Sequence, residues 1–282
     1  MRKPPAAIRR FNLFVSKERH RMNEMTRRLQ REAERIASKH PLPEFYFRFK
    51  APIALARRLY FNHPLVVLMR KTVQPVLQED LGHGMFHSAR VSMDTATLVF
   101  VESQSVSANP LGIERMMVLG LLAGLLHDIC RDREHHAEVG AIEAEKVLKR
   151  FALSRNETKC ICEAIRNHEA FIAPTPCKRR AYQLISDCLY DADKFRWGAD
   201  TFLHTLWHIA DHQGLTPREL IDRFPWGISG TLRIAETFRT PTGRQYGPEI
   251  IQTGIDIGKE IYRYLLQHFK EEAHEERHPD RH

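Results

Sequence analysis

A chain of 282 residues, 43% hydrophobic and 28% charged, has the balance of a globular protein, and its length suits one enlarged domain or one core with appendages. Its longest apolar run, 118–126, is far short of the roughly 20 residues a membrane span needs. The basic start, "MRKPPAAIRRFNLFV", lacks the continuous apolar stretch of a secretory signal, and Glu18 interrupts the acid-poor pattern of a transit peptide.

The net charge of +8 is unevenly placed. Residues 1–40 hold twelve Lys and Arg against four Glu, so the rest of the chain is near neutral. Such an arm suits nucleic acid, an anionic membrane surface or an acidic partner. It equally suits a solvated helix laced with local ion pairs, and the scarcity of aromatic stacking residues favours that second reading. The oligomeric state is not legible. Five cysteines, Cys130, Cys160, Cys162, Cys177 and Cys188, are odd in number and show no zinc-knuckle spacing. They read as free thiols, and the expected location is cytoplasmic.

Helical patterns dominate in chain order. Residues 16–39 read as a long charged helix with a thin stripe, Met22, Met25, Leu29 and Ile36, broken at Pro41 and Pro43. Shorter helices are expected at 51–60 and 64–78, then one over 85–100. Asn109-Pro110 reads as a loop. The next helix, 114–128, is apolar nearly all round and therefore buried. Further helices are expected at 136–151, 155–168, 180–197 and 199–209, with a loop over 174–180, and at least two more follow. No stretch alternates like a strand, so the expected fold is all-α. The expected division is a basic helical extension (1–79), a core (80–210) and a C-terminal helical extension (211–282) with a frayed polar tail.

His127 and Asp128 stand together at the end of the most apolar helix. An ionised carboxylate there is costly unless compensated, and a helix C-terminus favours a cation. Taken alone, a core histidine beside a capping carboxylate explains the pair as well as a metal does. Other helices add to it. His83, His87, Arg90 and Asp94 fall on one helical face. His136 shares a stripe with Gly140, Ala144 and Val147 and should point inward, with His135 pointing elsewhere. His168 ends the stripe Ile161, Ala164, Ile165, and Asp193 lies on the stripe Ile185, Leu189. Buried polar groups need partners, and one shared metal centre would satisfy all of them. Four histidines and two aspartates exceed one tetrahedral zinc and suit two octahedral ions bridged by a carboxylate. The donor set fits Fe, Mn, Ni, Co or Zn better than Mg alone.

The order His…His-Asp…His…His…Asp, carried by "FHSARV", "AGLLHDI", "HHAEVGA", "AIRNHE" and "DADKF", resembles the HD-domain superfamily of metal-dependent phosphohydrolases. The resemblance covers roughly 82–202 and implies an HD-type helical bundle. It implies that His87, His127, Asp128 and Asp193 hold one divalent ion and that His136 and His168 recruit a second, with Asp128 bridging. Asp191 rivals Asp193, and Ala192 before Asp193 fits the family pattern. The implied activity is hydrolysis of a nucleotide or other small phosphate ester by a hydroxide that two ions hold, with Asp128 keeping the nucleophile in place.

Candidate catalytic residues besides Asp128 are His83, placed to reach a phosphate or the leaving oxygen or else to pack, and the cations Arg131 and Lys194. Arg90, Arg133 and Arg196 are further cations near the motifs. Glu169 could orient a histidine ligand. Trp197 stacks on a base or fills core. Two other readings compete. The same fold and ligand set also carry mixed-valent diiron oxygenases, and a regulatory module could hold a nucleotide while its basic N-terminal helix meets nucleic acid.

Overall fold

The computed structural model describes residues 22–77, 84–104 and 109–269. Among them the fold is all-α, with twelve α-helices and no strand. No described helix is long and apolar enough to cross a membrane.

Helix α1 (Glu24–Ala37) begins where the Asn23 side chain accepts the Thr26 N–H, which satisfies one orphan donor of the first turn. Asn23 also donates its backbone N–H and its amide to Asp211 Oδ1. The buried stripe Thr26, Leu29, Ala33 and Ile36 packs on the last helix of the chain. The part of the expected helix over 16–21 lies outside the described residues.

The apolar residues of 44–73 form three helices, α2 (Glu44–Arg48), α3 (Lys50–Asn62) and α4 (Pro64–Val73). Pro64 opens α4, where its missing N–H would be unpaired in any case. The same device corrects one expectation. Asn109-Pro110 is not a loop but the start of a helix, with Asn109 at the cap and Pro110 in the first turn.

That helix, α6 (Pro110–Leu126), is the axis of the bundle. It packs on α5 (Met85–Ser103), α8 (Arg155–Arg166), α9 (Arg180–Phe195) and α4. Leu121, Leu122, Leu125 and Leu126 are all fully buried, as the absence of a polar face requires. The helices α5 and α6 cross closely because residue 124 is glycine. A Cβ there would lie 2.4 Å from Ser92 Cα, and Ser92 Oγ donates to the Leu121 carbonyl at 2.6 Å across the crossing.

Helix α7 (His136–Leu148) lies on α8, and α9 lies across α5 and α8. Helix α8 ends at Arg166 rather than 168, so His168 stands beyond it. The single helix expected at 199–209 is a π-helical turn (Thr201–Thr205) running into α10 (Leu206–His212). Helices α11 (Pro217–Ile234) and α12 (Pro241–Phe269) complete the chain.

Two apolar clusters result. The larger takes side chains from α2–α9 and from the chain between Ile234 and Ile255. The smaller joins α1, the π-turn, α10, the start of α11 and the second half of α12 around Trp207.

Candidate metal centre

Four helix ends and the segment after α8 converge beside the α5–α6 crossing. His87 lies in the first turn of α5, His127 caps the end of α6, and Asp128 follows in the turn. Asp193 comes from the last turn of α9. His136 opens α7, directly after His135, whose φ of 52° reverses the chain, and His168 lies two residues past α8.

Two backbone carbonyls fix the imidazoles. A carbonyl only accepts, so His127 Nδ1–H donates to Gly124 at 2.8 Å and His168 Nδ1–H donates to Ile165 at 2.6 Å. Both Nε2 atoms are thereby turned to the interior. The orienting group for His168 is thus the Ile165 carbonyl and not Glu169, which corrects the expectation for that glutamate.

Asp128 stands between two groups of histidines. Its Oδ2 lies 3.4 Å from His127 Nε2 and 3.7 Å from His87 Nε2, and its Oδ1 lies 3.4 Å from His168 Nε2 and 3.9 Å from His136 Nε2. Asp193 Oδ1 joins the first group, 3.3 Å from His87 Nε2 and 3.7 Å from His127 Nε2. The Nε2 atoms of His87 and His127 are 3.2 Å apart. Two sets of donors, His87–His127–Asp128 and Asp128–His136–His168, are each compact enough to hold one ion.

The electrostatics call for a cation. Burial works against ionisation of Asp128 and Asp193, yet neighbouring histidines, and Lys194 for Asp193, hold both well below the usual carboxylate range. Burial likewise opposes a charge on His127, but Asp128 and Asp193 outweigh it and raise that imidazole to about 10. His136 goes the other way: burial, then His168 and Arg131, push it down to about 4, so it is neutral and can act as a ligand. Asp128 Oδ1 and His168 Nε2 are buried without a hydrogen-bond partner. Such atoms are rare in folded proteins, and a divalent ion would satisfy both. Imidazole nitrogens and carboxylate oxygens in this mixture fit Mn, Fe, Co, Ni or Zn.

Asp191, the rival to Asp193, faces away. Its carboxylate accepts the N–H groups of Arg239 and Thr240 and the Thr240 hydroxyl. Lys194 is buried, with its ammonium 2.5 Å from Asp193 Oδ2 and 3.0 Å from the His168 carbonyl. It clamps two residues of the site to one another. Arg131 is exposed and donates to His136 Nε2 at 2.8 Å. His83 lies outside the described residues.

Arg90, Asp94 and Arg196 belong to a neighbouring network. Arg196 is buried among Asp94, Asp200 and Tyr46, and Arg90 binds the other oxygen of Asp200. Asp94 was expected on the face of His87 but serves this cluster, which ties α2 and α5 to the end of α9. The Arg196–Asp200 spacing of four was its signal in the sequence. Trp197 packs against the larger core.

Residues 87–198 match the family model of the HD domain, a span that opens on His87 and contains all six candidate ligands. Residues 87–198 form an HD domain. An HD domain marks a superfamily of metal-dependent phosphohydrolases whose members usually bind divalent metals. No curated protein and no solved structure matches the chain.

Proposed function

We propose that this HD protein is a phosphohydrolase whose centre takes two divalent ions and cleaves a nucleotide or another small phosphate ester. One observation carries the reading: the two oxygens of Asp128 face different pairs of histidines. Two ions, when bound, acidify a water and polarise the phosphoryl group.

The chain supplies the rest. His87, His127, Asp193 and Asp128 Oδ2 would hold one ion, and His136, His168 and Asp128 Oδ1 the other. Asp128 sets the spacing of the pair. Lys194 offsets the charge of Asp193 and holds the His168 carbonyl, so the ligands of both ions keep their places as the charge changes. Arg131, exposed at the rim, offers a guanidinium fork to the phosphate oxygens.

The test is metal analysis of protein purified without chelator, followed by a screen of phosphomonoesters, phosphodiesters and nucleotides. Activity should appear in the metal-loaded protein and vanish in the His127→Ala, Asp128→Ala double variant with its helix content preserved. Turnover surviving that change would overturn the reading. Oxygen-dependent turnover with a reducible iron pair would replace it with the oxygenase alternative.

A further inference from the structure

The two groups of donors differ in what their Nε2 atoms meet. In the first, the Nε2 atoms of His87 and His127 lie near Asp128, Asp193 and one another. In the second, His136 Nε2 accepts a hydrogen bond from Arg131 Nη1 at 2.8 Å. A guanidinium remains protonated and has no acceptor, so the imidazole must provide the lone pair. That lone pair is the one a divalent ion would use. A single lone pair cannot serve both.

The surroundings sharpen the conflict. His136 Nε2 is 3.9 Å from Asp128 Oδ1, and its ring stands 5.1 Å from that of His168. The other charges acting on it are those of Arg131 and Glu169. Its backbone follows His135, which stands in the left-handed region at φ 52°. Arg131 is exposed in the turn after Asp128, with solvent on its outer side. Lys194, by contrast, engages the far oxygen of Asp193 and leaves Oδ1 facing inward.

We propose that Arg131 competes with the second ion for His136, and that a phosphate oxyanion relieves the competition by drawing the guanidinium away. The second ion and a phosphate ester then bind with positive coupling, each tightening the other by the same factor. This rests on the two-ion reading above. It assigns Arg131 a role beyond phosphate contact: substrate arrival helps complete the centre.

The experiment is calorimetric titration of Mn2+ into the metal-stripped full-length chain, with and without methylphosphonate as a non-hydrolysable anion, for the wild type, Arg131→Ala and His136→Ala. The wild type should take two ions, the second more weakly. Arg131→Ala should strengthen the second ion about tenfold, the weight of one hydrogen bond to a charged group, and leave the first unchanged. Methylphosphonate should strengthen the second ion severalfold more in the wild type than in Arg131→Ala. His136→Ala should lose the second ion. Two ions bound with no gain in Arg131→Ala, or an equal anion effect in both proteins, would overturn the competition and leave the two-ion reading standing. A single ion in wild type and His136→Ala alike would overturn both. Neither result depends on turnover, so failure of the phosphohydrolase reading is seen separately.

Discussion

The two halves of the centre are built differently. His87, His127 and Asp193 stand on the regular first or last turns of α5, α6 and α9, which cross within the largest apolar core. His136 and His168 stand where helices begin or have ended; His135, directly before the first, and Phe171, three residues after the second, are the only two non-glycine residues with positive φ among those described. The first half inherits its precision from helix packing. In the second, His136 already accepts from Arg131, so that half should load later and be lost first.

The most damaging change should be at the shared residue. His127→Ala with Asp128→Ala removes donors from both halves, and we expect neither ion in elemental analysis and activity at the assay background. Next comes a change confined to one half. His168→Ala should abolish one ion and spare the other, whereas loss of both would show the halves to be interdependent. A subtler break is Gly124→Ala. The added methyl meets Ser92 across the α5–α6 crossing, and overpacking of this kind costs about 1–3 kcal/mol in denaturant unfolding. It should weaken the first ion more than the second, because α5 and α6 carry His87 and His127.

The smallest effect is expected far from the ions, where α6 is tied to the start of α8. The Arg115 hydrogen bond to Glu157, with help from Ser154, lowers that carboxyl to about 2. Its folded value lies below the unfolded one of 4.5, so the contribution is present above pH 4.5 and fades as pH falls toward 2. Arg115→Ala should flatten the stability profile in that window by under about 1 kcal/mol, since the pair is largely solvated. Metal stoichiometry at neutral pH should not move, which makes this variant the control for the other three.

Much of this could be read from the residues. The apolar run before His127 announced the buried axis helix, and helical spacing turned His136 toward the interior. Other features were illegible for physical reasons. Lys194 and Arg196 look alike as cations after Asp193, yet one ammonium closes on Asp193 while the other group is drawn to Asp94, which lies about a hundred residues earlier. Glu169 was a reasonable orienting group by adjacency, but a backbone carbonyl one turn back did that work, and every residue type carries one.

By itself, the sequence determined that the chain is helical, which helix is buried, and that its histidines and aspartates recur on inward faces, because these follow from local periodicity and from the cost of burying charge. Only tertiary structure decided that each Asp128 oxygen meets its own pair of imidazoles and that Arg131 already occupies one of them. Those outcomes depend on distances between residues far apart in the chain, set by how closely helices cross, and no spacing along one strand of sequence encodes them.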